Sequence, residues 1–119
     1  MRVLVCGDRN WTNRASIYTQ LYLLRQLHIG PITVIEGGAN GADKLAASCA
    51  WQLQMNVEEY RADWSHFGKA AGPKRNQAML DTGIHLVLAF HPDLSKSKGT
   101  KDMTNRAAQA GVTVKIFTE

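Results

Sequence analysis

Five short strand candidates punctuate the chain, at Val3 to Cys6, Ile32 to Ile35, Val57 to Tyr60, Leu86 to Phe90 and Val112 to Phe117, all mainly apolar except the third, which carries Glu58 and Glu59. Between them the apolar positions recur at helical spacing, and this alternation predicts a βαβ series of five strands and four helices. In the first helix Ile17, Leu21 and Leu24 share a stripe that Gly30-Pro31 should end. Leu45, Ala46, Cys49, Ala50 and Leu53 make the strongest stripe of all. A third helix is expected to start at Pro73, a residue suited to a first helical turn, and to run through Met79 to Asp81-Thr82-Gly83. The fourth covers Thr100 to Ala110, with Gly111 as its stop.

The first, second and fourth runs are continuously apolar, as strands covered on both faces should be, whereas Val112 to Phe117 alternates like an edge. Right-handed crossovers then favour an α/β, Rossmann-like three-layer sandwich with a five-stranded parallel sheet of order 3-2-1-4-5. Winding reverses between strands one and four, and ligands bind beyond the strand carboxyl ends at such a point. Three loops meet there: Gly7 to Asn13, the glycine run after strand two, and His91 to Thr100.

That glycine run, Glu36-Gly37-Gly38-Ala39-Asn40-Gly41-Ala42-Asp43, follows a β-branched strand and opens a helix. Glycines admit close backbone approach, and a first helical turn offers unpaired N–H groups, so the segment points to a bound anion such as a phosphorylated small molecule. The alternative is a turn that only packs its helix tightly on the strand. Glu36 stands where a dinucleotide fingerprint needs its first glycine, and no Gly-Lys-Ser/Thr follows, so neither standard nucleotide loop is present.

Composition narrows the frame. The 119 residues, 45% of them hydrophobic, suffice for one domain spanning 1–119 and not for two. No segment has the length of a membrane span, and the opening residues form a strand pattern rather than a signal peptide, which predicts a cytoplasmic protein without membrane association. Cys6 and Cys49 occupy apolar positions without ligand or redox spacing and are expected to be buried thiols. A net charge of +4, concentrated in part at Lys96, Lys98 and Lys101, favours anionic partners.

Three further groups carry candidate chemistry. Asp8 and Arg9 leave the first strand, where they can take a ribose hydroxyl and a phosphate or base face, or form an inconsequential surface ion pair. Thr12 or Asn13 can cap the helix that follows, and Trp11 can stack on a base or cover the sheet end. The connection Asp63 to Asn76 is long, and it brings Lys74, Arg75 and Asn76 into a first helical turn, where cations oppose the dipole unless an anion is bound. Lys98-Gly99-Thr100 opens the last helix with Thr100 as its expected N-cap, beside amides that can face a second phosphate. His66 has no partner at metal-ligand spacing, and neither metal nor cofactor is expected.

Val5-Cys6-Gly7-Asp8-Arg9, the Gly37-to-Asp43 run, Asp63-Trp64, Ala71-Gly72-Pro73-Lys74-Arg75-Asn76-Gln77-Ala78-Met79 and Gly99-Thr100-Lys101-Asp102-Met103 together resemble the YspA/YpsA-related branch of the SLOG superfamily. The resemblance implies a Rossmann-like domain that binds a nucleotide or nucleotide-derived ligand as a sensor, sequestering or processing protein. It implies ligand contacts from Gly7, Asp8, Arg9, Gly37, Gly38, Gly41, Asp43, Arg75, Asn76, Gly99 and Thr100. LOG enzymes of the superfamily are phosphoribohydrolases that use an arginine and the glutamate of a Pro-Gly-Gly-x-Gly-Thr-x-x-Glu motif. Arg75 resembles that arginine and Gly99-Thr100 the Gly-Thr pair, but Met103 stands where the glutamate belongs and the Pro-Gly-Gly part is missing. A thioether cannot stabilise an oxocarbenium-like centre. An N-glycosidic hydrolase would therefore have to use Asp43 or Asp102 beside Arg75. The DprA branch binds single-stranded DNA; here no aromatics recur along a basic face, and nucleic-acid association ranks third. The LOG relatives and the alternating last strand also predict a homodimer.

Overall fold

A computed structural model describes residues 1–119. Its sheet holds β1 (Arg2–Gly7), β2 (Thr33–Glu36), β3 (Asn56–Glu59), β4 (Leu86–Phe90) and β5 (Thr113–Phe117), all parallel in the order β3-β2-β1-β4-β5. The expected α/β architecture and strand order are therefore those of the molecule. Its helices are α1 (Arg14–Leu27), α2 (Ala42–Gln52), α3 (Trp64–Phe67), α4 (Ala71–Asp81) and α5 (Gly99–Gln109). No helix is long and apolar enough to cross a membrane.

Strand alternation divides the core in two. Val3, Val5, Val34, Leu86, Leu88 and Phe90 point to one face, where Ile17 and Leu21 of α1 and Ala42, Ala46, Cys49 and Ala50 of α2 cover them. Leu4, Cys6, Ile35, Val87 and Ala89 point to the other, against Met79 of α4 and Met103 and Ala107 of α5. Small residues on α2 let that helix lie close to the sheet, while the larger methionines fill the opposite layer. The central strands are apolar in both parities because both faces are covered. Both cysteines are free and buried, as their positions predicted.

Local details depart from the sequence reading. Helix α1 stops at Leu27, before Gly30-Pro31, because His28 already has extended backbone angles although its N–H still donates to Leu24 O. Asn13, rather than Thr12, caps α1 by accepting from Ser16 N at 3.2 Å. Helix α4 begins at Ala71, two residues before Pro73, so Arg75 lies past the first turn instead of within it. The long connection ahead of α4 contains α3 and a 3-10 turn at Gly68–Ala70. Asp63 makes the extra helix by accepting from His66 N at its start. Thr100 is not the N-cap of α5: the helix starts one residue earlier, and the Thr100 N–H donates to Ser97 Oγ at 3.0 Å.

Candidate functional site

The carboxyl ends of β1, β2 and β4 bring three loops together, and the amide N–H of Asp8 ties the first to the third by donating to Phe90 O at 2.9 Å. Gly7 ends β1 in register with Phe90. Trp11 then folds over this end of the sheet and is buried, its ring edge against Phe90 at 5.7 Å between centroids. Its Nε1–H donates to Asn13 O, so of the two roles open to it Trp11 covers the core. Asp8 and Arg9 form no ion pair. Asp8 accepts from Asn10 N in a tight turn, and Arg9 is exposed. Arg9, Asn10, Thr12, Gly41 and Lys44 line a groove of about 540 Å³ between this loop and α2.

The glycine run is organised by its own carboxylates. Asp43, in the first turn of α2, accepts from the N–H groups of Gly37 and Ala39, each at 3.2 Å. Buried Asp43 thus holds two amides of this loop, both ahead of Gly41, the N-cap of α2. The sequence offers Asp43 as a ligand contact or a catalytic carboxylate; in the structure its Oδ2 is bonded to these two amides of the protein. Gly41 has φ +72°, and a Cβ there would run into the backbone of Asp8 and Arg9. A Cβ at Gly37 would meet the Arg75 guanidinium and the Asp43 carboxylate. Backbone packing and positive φ therefore demand glycine at position 41, whereas position 37 is crowded only by the ends of two side chains.

Arg75 reaches the same loop from α4. Its Nη1 donates to Gly37 O at 2.8 Å and its Nε to Asn76 Oδ1 at 3.0 Å, while Nη2 has no protein acceptor. Asn76 is buried and donates to Gly99 O and to Asp102 Oδ2, at 3.2 and 3.0 Å. Asp102 also accepts from Arg106 Nε at 2.9 Å. One hydrogen-bonded chain thus joins Gly37, Arg75, Asn76, Gly99 and Asp102 across the β2–α2 loop, α4 and α5. Arg9 lines the groove beside α2, and Thr100 is buried against Ser97; neither belongs to this chain. Gly38 turns at the loop's outer side, beside Glu59 and Arg61. Gly99 has open space where a Cβ would be.

Met103, at the position of the LOG glutamate, is fully buried in the core between α5 and the sheet. A glutamate there would face apolar side chains.

Sequence reasoning passed over Glu36. Its side chain is buried; Oε1 accepts from Gly38 N at 2.8 Å, and Oε2 has no partner. Burial pushes its carboxyl up to about 7, with the Gly38 N–H opposing and Asp43 and Glu59 reinforcing the shift. Burial also raises Asp43, to about 6, against the Ala39 and Gly37 amides and the Arg75 charge. The legible signal was an acidic residue ending an otherwise apolar strand.

A parallel sheet wound in both directions, with a polar network gathered at the carboxyl edge beside the reversal, defines a Rossmann-like α/β protein. The family model described as YspA, cpYpsA-related SLOG family matches residues 1–67, and the chain belongs to that family. Membership points to the binding or processing of a nucleotide-related ligand. The chain is also similar to the Gene 61 protein of Mycobacterium phage D29, with 39% identity over 98% of this chain and 95% of that protein. Arg75, Asn76 and Gly99 lie beyond the segment that the family model covers.

Proposed function

We propose that the protein binds a nucleotide or nucleotide-derived metabolite at the carboxyl edge of its sheet and acts by binding, as a sensor or sequestering protein, rather than by LOG-type hydrolysis. The observation that carries this reading is the Arg75 guanidinium. It is fixed on two sides by Gly37 O and Asn76 Oδ1 and keeps Nη2 free, so its charge is oriented without being neutralised by an ion pair. A phosphate at Nη2 gains a charge-assisted hydrogen bond to a donor already held in place.

The absence of a glutamate at position 103 weighs against LOG-type hydrolysis. Asp43 is bound to two loop amides, Asp102 to Asn76 and Arg106, and the residue at the LOG glutamate position lies in the core. The Met103 thioether supplies no carboxylate for an oxocarbenium-like centre or a water, and the two aspartates are engaged through Oδ2 in holding the β2–α2 loop and Asn76.

Calorimetric titration with a panel of nucleoside mono- and diphosphates tests the reading. Arg75→Ala should weaken binding by about 1–3 kcal/mol. The same change removes the contact to Gly37 O, so circular dichroism must show the variant folded, and Arg75→Lys serves as the milder comparison. Equal affinity of wild type and both variants would move the site elsewhere. Chromatography after prolonged incubation should show no free base; release of base that vanishes in Arg75→Ala would make the protein an enzyme.

A further inference from the structure

Trp64 is an exposed tryptophan that opens α3, beside the helix that carries Arg75. The far edge of its indole rests on the buried Gly72 of α4, where an added Cβ would lie 3.1 Å from Cη2. Trp64 nevertheless stays 59% exposed as a residue, and its Nε1 has no hydrogen-bond partner in the protein. Glycine thus seats the indole without covering it. Its neighbour Phe67 already has aromatic and cationic partners, Lys74 Nζ 5.0 Å from the ring centroid and the His66 ring in an edge contact at 4.4 Å. The face of Trp64 carries no such partner.

Surroundings supply the sign of the missing occupant. Arg61, His66, Lys69 and Lys74 are exposed around α3 and the start of α4. Of the nearby carboxylates, Asp63 accepts from Ser65 Oγ and His66 N, and Glu59 pairs with Arg61 at 2.9 Å. The balance favours an anion with a planar π-face. On α4, Gly72 shares a helix face with Arg75 and Asn76, three and four residues on, so the residue that seats the indole lies roughly one turn, about 5–6 Å, from Arg75.

We propose that Trp64 is the stacking platform for the base of a single nucleotide whose phosphate is held by Arg75. The proposal rests on the ligand site described above and adds the residue that selects a base over a bare sugar phosphate. One free indole suits one base. A continuous single strand needs successive platforms along a basic groove. Here Trp11 is buried, Phe67 has the Lys74 ammonium over its ring, and Trp51 lies in the last turn of α2.

Calorimetry with the full chain against AMP, GMP, CMP, UMP and ribose 5-phosphate decides it. Trp64→Ala should weaken the nucleotides by about 5- to 150-fold, purines most, and leave ribose 5-phosphate within about 2-fold. Trp64→Phe should recover part of the loss, and Trp51→Ala should match wild type. Loss of nucleotide and ribose 5-phosphate affinity in equal measure, or no loss, overturns the platform while leaving the Arg75 site standing. Wild type that binds neither class overturns both. An oligothymidylate that binds more tightly than UMP through Trp64 makes the occupant a polymer and overturns the single-base proposal. Should Trp64→Ala not fold, the Trp51→Phe chain retains Trp64 as its exposed tryptophan, and saturating AMP should then quench its emission and shield it from acrylamide. Unchanged emission and shielding overturn the platform.

Discussion

Two glycine turns open helices at the same edge of the sheet, and they are built in opposite ways. The turn before α2 is filled by the protein itself: Asp43 holds its amides, Arg75 holds its carbonyl, and the backbone of Asp8 and Arg9 occupies the space beside Gly41. The turn before α5 is open. Nothing lies where a Cβ of Gly99 would be, although Asn76 holds the Gly99 carbonyl and Ser97 Oγ accepts from Thr100 N. A glycine-rich sequence therefore marks close approach without saying whether protein or ligand makes it.

The largest effect that can break this comparison is at Gly41. Gly41→Val should cost about 3 kcal/mol or more, since a branched side chain is strained at φ +72° and also collides with the first loop. Urea denaturation measures it. A loss below 1 kcal/mol would show that the first loop can move aside, and that the closed turn is less closed than its contacts indicate.

A pH titration of stability sharpens the electrostatic half of the contrast. The folded carboxyl of Glu36 lies near 7 and that of Asp43 near 6, both above their ordinary values near 4, so between about pH 4 and 7 the folded chain binds more protons than the unfolded one. Stability from these groups is full below that window and is lost as pH rises through it. Glu36→Gln should flatten the decline and raise stability at pH 8 relative to wild type, on the order of 1–3 kcal/mol. The Arg2–Glu58 pair holds Glu58 at about 2 and acts in the opposite sense at lower pH, outside the window. A wild-type profile that rises from pH 4.5 to 7 would contradict the buried, raised carboxyl of Glu36.

Gly99→Ala should change stability by no more than about 0.5–1 kcal/mol, in the stabilising direction, since alanine is the better helix former and the site is open. If a ligand approaches this turn, the same variant should bind it less tightly, which calorimetry beside urea denaturation separates. Smallest of all, Arg9→Ala and Lys44→Ala should leave stability within about 0.5 kcal/mol, because both side chains are exposed and neither makes an ion pair. A larger loss would show that the groove they line is held shut by contacts absent from the folded chain described here.

Much of this was legible in the order of residues. Apolar runs with the alternation of Thr113 to Phe117 determined the five strands, their parallel sense and which strand lies at an edge, because burial on one face or two leaves its period in the chain. They also determined that Gly37, Asp43, Arg75 and Gly99 would reach the same edge. Helix ends were less legible: Pro73 is compatible with a first turn but does not create one, and α4 begins where α3 and its Asp63 cap deliver the chain.

What only the tertiary structure decided is which polar groups satisfy one another. Asp43 takes the loop amides, Asn76 spends its donors on Gly99 and Asp102, Trp11 turns inward and Trp64 stays out. Met103 goes into the core, and Glu36 keeps one oxygen unpaired. Sequence spacing sets which face of an element a residue occupies, but hydrogen bonding and desolvation depend on atoms brought from elements far along the chain, and those meet only when the sheet has formed.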